Sequence, residues 1–299
     1  MSSIIVISVS WRNQTLALRI FNNLASYSAQ RLLSDNNNKL SRIFSRIASG
    51  ERIQQTSDDS AGMMTAEALK SDVRTLRQGV RNLNEGLSLL NVVDGALNEE
   101  VSIVIRMREL ATQAATGTIG TTERQTTNLE FSAMRSELDR IANTTEFNGI
   151  KALDGSLASS ASNHTAIQFG LNSNDVSSVD INRTVNVTAL TALNLKLNEL
   201  SISSQNGAAT ATEALKVILN TMIEIRGRLG STQNRLERTL NNTLTAAENL
   251  TAAGSVIGDA DLASDFAHLT KQQILVQSSS AMIGQANLFP QGVIQLLPH

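Results

Sequence analysis

The sequence predicts a mainly α-helical protein: a long antiparallel helical bundle or coiled coil with a small β-hairpin region, its terminal helices forming a discontinuous core domain. Three observations lead there. Leu69, Val73, Leu76, Val80, Leu83, Leu87, Leu90, Leu97, Val101 and Val104 fall at alternating steps of four and three, with Asp94 the one polar residue on that seam. The same spacing returns at Leu215, Ile218, Met222, Ile225, Leu229, Leu236, Ala246, Leu250, Ala253 and Ile257, with Thr232, Thr239 and Thr243 on the stripe. Aromatic residues are only 3% of the chain and prolines number two, so nothing forces helices to be short and little favours a large sandwich or barrel.

A 3.5-residue period lays one narrow apolar stripe along a helix, the pattern of a coiled-coil seam. At 1.5 Å per residue the run from 69 to 104 is about 54 Å long. Each large side chain on it gains about 1.5–3 kcal/mol only when it is buried, so the stripe needs a partner, and the second run supplies one. A chain that goes out along one long helix and returns along another makes an antiparallel pair. A helix over 123–142, with Thr127, Phe131, Met134, Leu138 and Ile141 on its inner face, completes a bundle.

Taken in order, residues 1–16 read as an extension, either a loosely tied arm or an extra edge strand. From Leu18 to Ala48 helical spacing places Leu33, Leu40, Phe44 and Ile47 on one face, and Asn36-Asn37-Asn38 is expected to interrupt it. Gly50 marks a helix stop and Asp59 or Ser60 a helix start. At Asp58-Asp59 a metal or acid/base role competes with capping, and capping is the commoner use. Gly79 and Gly86 are seven apart and share a face, either as weak points or as places of close approach. A turn over 116–122 precedes the 123–142 helix, and Asn148-Gly149 and Asp154-Gly155 supply turns after it. Between 156 and 189, Ala166-Ile167-Gln168-Phe169 and Ser178-Val179-Asp180-Ile181 read as short strands. After an unassigned leucine-rich stretch over 190–206 and the second long helix, Gly254 and Gly258 are expected to loosen the chain. Asp259-Ala260-Asp261 then caps a final helix to Leu288, and Pro290 breaks or bends it.

Composition excludes several functions. A net charge of −2 and a pI near 6.0 offer no basic field for nucleic acid or an anionic membrane. There is no cysteine, hence no disulfide or thiolate chemistry. His164, His268 and His299 form no metal-ligand spacing and no glycine-rich phosphate loop follows a strand, so no catalytic residue, metal or cofactor is expected. No apolar run approaches the ~20 residues of a membrane span, and the run Ile4-Ile5-Val6-Ile7 lacks preceding basic residues, so a cleaved leader is not expected either.

Specific motifs add to this. The N-terminal half carries Ser45-Arg46-Ile47-Ala48-Ser49-Gly50-Glu51-Arg52-Ile53, Asp58-Asp59-Ser60-Ala61-Gly62, Asp94-Gly95-Ala96-Leu97-Asn98-Glu99, Arg106-Met107-Arg108-Glu109-Leu110-Ala111 and Thr145-Glu146-Phe147-Asn148-Gly149. The C-terminal half carries Leu229-Gly230-Ser231-Thr232-Gln233-Asn234-Arg235-Leu236-Glu237 and Leu269-Thr270-Lys271-Gln272-Gln273-Ile274-Leu275. In this order and spacing the chain resembles bacterial flagellin over most of residues 17–297, in a short form without variable outer domains.

The resemblance implies a subunit that self-assembles into the flagellar filament for motility, a helical homopolymer. Residues 17–59 with 254–299 would form the filament-core domain and residues 60–253 the shell domain. It also implies secretion, unfolded, to the extracellular flagellum. Implied partners are the flagellar export apparatus and an export chaperone, the filament cap, hook-junction proteins and, in a host, the flagellin-sensing Toll-like receptor. By motif, Arg106, Glu109, Leu110 and Glu130 match receptor or protofilament contacts. Two departures stand out: residues 1–16 precede the usual start, and Gly258 stands where Arg is more usual. Alternatives are a hook-filament junction protein, which would cap short structures, and a glycan-binding surface relative using residues 156–189. Asn163, Asn182 and Asn186 head sequons of the kind chance supplies in an Asn/Thr-rich chain.

Overall fold

The computed structural model describes residues 23–172 and 174–295; the expected extension over 1–16 and the closing Pro298-His299 lie outside these. The chain divides into two compact units, Met1–Met64 with Val256–His299, and Thr65–Ser255.

The larger unit is built on two long helices. Helix α2 (Ser60–Ala115) begins where the Asp59 carboxylate accepts the Gly62 N–H at 2.8 Å, an N-cap at the positive end of the helix. Asp59 thus takes the capping role. Helix α5 (Gln205–Gly258) returns alongside it. Arg226 reaches Asp94 at 3.0 Å and Gln233 reaches Asn91 at 3.0 Å, so residue numbers rise on one helix as they fall on the other. The pair is antiparallel. Asp94, the polar residue expected on the seam, is half-buried and neutralised by that arginine.

Burial shows where the stripe lies. On α2 the fully covered positions are Leu83, Leu90, Leu97 and Val104, and beside them Gly86, Val93, Glu100 and Met107. Val73 and Leu76 are buried, whereas Leu69, Val80, Leu87 and Val101 are half-buried. The covered face is therefore wider than a two-position seam and turned toward the flank carrying Gly79 and Gly86. On α5, Leu215, Ile218, Met222, Ile225, Leu229 and Leu236 are buried. Ala246 and Ala253 differ from expectation: both are exposed, and Ala247 is the buried residue in that turn. Thr232 and Thr243 are buried but satisfied, each hydroxyl donating to the carbonyl four residues earlier at 2.8 Å.

The extra width of α2 is covered by α3 and the connector. Helix α3 (Thr121–Thr144) doubles back after a tight turn, with Phe131 and Leu138 fully buried. Arg124 holds that turn. Its buried guanidinium donates to the carbonyls of Ala114 (2.8 Å), Thr116 (3.3 Å) and Ile119 (3.2 Å), satisfying acceptors that the end of α2 leaves open. Next, β1 (Glu146–Phe147) and β2 (Ile150–Lys151) form a hairpin around Asn148 and Gly149, both at positive φ, which Asn-Gly tolerates. Strands β3 (Ala166–Gln168) and β4 (Ser178–Asp180) pair antiparallel with Ile167 opposite Val179. The short helix α4 (Ile181–Thr184) follows, capped by Asp180. Asn182 is buried and donates to Ser156 O and Ala158 O at 2.8 and 3.0 Å, which closes that sequon to modification in the folded chain.

The hairpin sits on α2 where side chains are missing. The Asn82 amide donates to Gln168 O at 2.8 Å, and a Cβ on Gly79 would overlap the Phe169 carbonyl. A Cβ on Gly86 would meet the Ile167 side chain. Close approach, not tolerated weakness, explains these two glycines.

The smaller unit pairs α1 (Leu24–Ser49) with α6 (Leu262–Gln295). Gly50 ends α1 in the left-handed region at φ 74°, its N–H on Arg46 O, and Asp261 caps α6 through the N–H groups of Ala263 and Ser264. Two expected interruptions do not occur. Helix α1 runs through Asn36-Asn37-Asn38 because Asn36 is bonded into the partner helix, and α5 runs unbroken through Gly254 to Gly258.

Replacing Gly79 by Ala is expected to lower stability by about 1–2 kcal/mol, overlap with backbone outweighing the ~1 kcal/mol helix-propensity gain, and to reduce hydrogen-exchange protection in β3 and β4. Gly95, open to solvent with nothing near its Cβ position, should show the reverse: Gly95→Ala raises the melting temperature. Equal effects at both sites would rule out the docking role of Gly79.

Candidate assembly interface

The α1/α6 pair follows the same 3.5-residue spacing, but different residues fill it. On α1 the facing positions are Ser26, Ala29, Leu33, Asn36, Leu40, Ile43 and Ile47, and on α6 Asp265, Leu269, Gln272, Val276, Ser279, Ile283 and Ala286. Only the polar Ser26, Asp265 and Gln272 are buried, at 6, 6 and 7% exposure, while the apolar residues of the seam are half-buried at best. Phe44, expected on this face, is 65% exposed; Ile43 takes its place one residue earlier.

Polar contacts set the antiparallel register. The Ser26 hydroxyl donates to Asn287 Oδ1 at 2.8 Å and the Asn36 amide to Ser279 Oγ at 3.0 Å. The Gln272 amide donates to Asn36 Oδ1 at 2.9 Å and to Asn36 O at 3.1 Å. Arg46 pairs with the nearly buried Asp265. Sliding one helix by a turn strands all of these groups, each at a cost of about 1–3 kcal/mol where it stays buried.

Helix α6 continues past Pro290 to Gln295, where a break or bend was expected. Proline has no N–H to give the carbonyl four residues back, at Ala286. The Asn23 amide donates to that same carbonyl at 2.7 Å, while Asn23 Oδ1 caps α1 through the Ser26 N–H at 3.0 Å. One side chain thus closes the end of α1 and supplies the bond that the proline omits.

Outside the seam, large apolar side chains stand exposed among polar ones. Leu24, Tyr27, Leu32 and Phe44 on α1, and Phe266, Ile274, Met282 and Leu288 on α6, are all exposed. Exposed patches of this kind mark surfaces that other chains cover.

In the larger unit Arg106 links α2 to α3, its guanidinium 2.8 Å from Glu130 and 3.1 Å from Glu109. All three are exposed, so solvent screens the cluster, which adds little to stability and presents its charges outward. Leu110 differs from its expected contact role: it is 2% exposed and belongs to the core of α2. Ser26, Asn23, Asp265 and Gln272 were not singled out in the sequence, although the seam spacing runs through the last two of α6. Among the described residues no group of three or more His, Asp or Glu is placed to hold a metal, and no helix is long and apolar enough to cross a membrane.

The bacterial flagellin N-terminal helical region matches residues 20–158 and the bacterial flagellin C-terminal helical region matches residues 212–297. The chain belongs to the bacterial flagellin family. It is 36% identical to flagellin of Bacillus subtilis over 94% of this chain and 100% of that one. It is 37% identical to flagellin of Halalkalibacterium halodurans, covering 93% and 99%, and 36% identical to a flagellar filament core protein of Treponema maltophilum, covering 93% and 99%. The crystal structure of Bacillus cereus flagellin overlaps 58% of this chain and 94% of its own at 31% identity, with a TM-score of 0.46. Membership makes the chain a structural component of the flagellar filament and not an enzyme.

Asn23→Ala is expected to lower the temperature at which polymer grown from the full chain disassembles, reflecting a loss of about 1 kcal/mol. In a Pro290→Ala background, where residue 290 regains its N–H, the same change should cost less. Identical losses in both backgrounds would show that the Ala286 carbonyl does not link the two residues.

Proposed function

We propose that polymerisation runs through the α1/α6 unit, which forms the inner core of the filament, while the unit of α2, α3 and α5 forms the surrounding shell. The observation that carries this is the incomplete burial of the smaller unit: the apolar residues of its seam are half-buried at best, and Leu24, Tyr27, Phe44, Phe266 and Met282 are exposed. A single copy leaves that surface in water, and stacked copies cover it. Contacts between different faces of successive copies do not close into a ring, so growth continues along a helix.

Under this reading the chain passes through the flagellar export apparatus, attended by an export chaperone. It adds beneath the filament cap on a base of hook-junction proteins, and ends outside the cell. The Arg106, Glu109 and Glu130 cluster is the surface on the larger unit for a neighbouring protofilament or for the Toll-like receptor of a host, because its charges point outward and contribute little to the fold. A hook-filament junction protein would stop at short structures, and a glycan-binding relative would retain surface polysaccharide through residues 156–189.

Electron microscopy of polymer grown from the purified full chain separates these readings: long filaments are expected. Phe44→Asp combined with Met282→Asp should raise the critical concentration for growth by on the order of a hundredfold, since each lost apolar contact is worth about 1.5 kcal/mol or more. Hydrogen-exchange protection in α2 and α5 should not change. Unaltered growth of the double variant would exclude the α1/α6 surface as the polymer contact.

A further inference from the structure

One buried group in the larger unit has no structural explanation in the filament reading. Glu100 lies on the covered stripe of α2, one turn from Leu97 and Val104, with 0% exposure. Neither of its carboxyl oxygens has a hydrogen-bond partner. By the antiparallel register, α5 presents the fully buried Met222 and Ile225 at this level.

The charged groups nearby do not compensate it. On α3, Asp139 accepts the N–H of Ala192 at 2.7 Å and is the charge that bears on Glu100, with the same sign. Arg135, one turn earlier on α3, is directed to Leu197 O at 3.5 Å. Arg226 of α5 is held by Asp94 and Asn98 at 3.0 and 3.1 Å. An ionised carboxylate in such a place is far more costly than a neutral one, so the group keeps its proton.

We propose that Glu100 is a buried proton-binding site that couples folding of the larger unit to pH: the unit folds with Glu100 neutral, and alkaline conditions destabilise it from inside the α2, α3 and α5 core. The carboxyl is raised from 4.5 to about 8, chiefly by burial and secondarily by Asp139. In the unfolded chain the same group ionises near its ordinary value. Its contribution is therefore fully present below about pH 4.5, declines as pH rises through the interval, and is lost above about pH 8. Within that interval the folded chain holds a proton that the unfolded chain has released. The inference is independent of how copies assemble, since α1 and α6 take no part in it.

The test is urea unfolding of the full chain, kept monomeric by dilution, from pH 5 to 10, read by exchange protection in α2 and α5. Glu100→Gln and Glu100→Met are compared with the unaltered chain. Relative to either variant, the folding equilibrium constant of the unaltered chain should fall close to tenfold per pH unit across the middle of the interval. The curves should run parallel above pH 9. Folding at pH 7 in weak buffer should also take up about one proton more per chain than folding of Glu100→Met. If Glu100→Gln does not fold, Glu100→Met serves alone, because it needs no hydrogen bond. Asp139→Asn removes the like charge, so the decline should end at a lower pH and its total depth should be smaller. Parallel pH profiles for the unaltered chain and the folded variants, with equal proton uptake, would overturn the proposal.

Discussion

The structure depends on one constraint, that a side-chain period of 3.5 residues can be satisfied only by a second helix, and the chain meets it twice, with unequal burial. Between α2 and α5 most covered positions are Leu, Ile, Val and Met, with Arg226 on Asp94 fixing the level of the pair. Burial of that many large side chains makes the larger unit self-sufficient. Between α1 and α6 the buried positions are Ser26, Asp265 and Gln272. A hydrogen bond formed on folding replaces bonds to water, so each of these contributes only about 1 kcal/mol net, and the apolar residues between them are half-buried at best. That seam therefore specifies which residues face one another without supplying much of the free energy that holds them together.

Secondary features of the larger unit follow from covering a stripe wider than two positions. Glycine at 79 and 86 lets the β3–β4 hairpin reach the α2 backbone, and Asn182 converts an irregular segment into a buried, bonded one. Arg124 does the same for the α2–α3 turn, where its guanidinium gathers the carbonyls of Ala114, Thr116 and Ile119. Each device places a polar group where backbone leaves helical geometry. The connector consequently packs Leu153, Leu157, Ile181, Val187, Leu190 and Leu197 at full burial despite its Ser- and Asn-rich composition.

Periodicity made the long helices and their pairing readable in the sequence, and the Asn-Gly turn and alternating residues located the hairpins. What escaped had physical causes. A two-position seam was read from the large aliphatic residues, so Val80, Leu87 and Val101 were preferred over Gly79, Gly86 and Glu100, because the cover provided by α3 and the connector is a long-range fact. Asn36 and Pro290 look like helix breakers when only local propensity is weighed. In the fold their deficits are met by Gln272, Ser279 and Asn23, residues more than two hundred positions away. Leu110 was grouped with Arg106 and Glu109 by its match to the family motif, yet on a helix residues one apart point about 100° from each other, and Leu110 faces the core.

In the proposed assembly, polar groups that fix the register of α1 and α6 and apolar side chains that attract other copies are complementary, because a filament subunit must add repeatedly in one geometry. Apolar contact is strong but non-directional, and alone it would allow α1 and α6 copies to associate in many registers. The ladder of Ser26, Asn36, Arg46, Asp265 and Gln272 penalises every register but one within the pair, since a shift leaves donors and acceptors unmatched. The exposed aromatic and aliphatic side chains then occupy fixed positions on a defined surface. Non-directional attraction acquires direction from the arrangement that carries it, so each added copy presents the same pattern to the next.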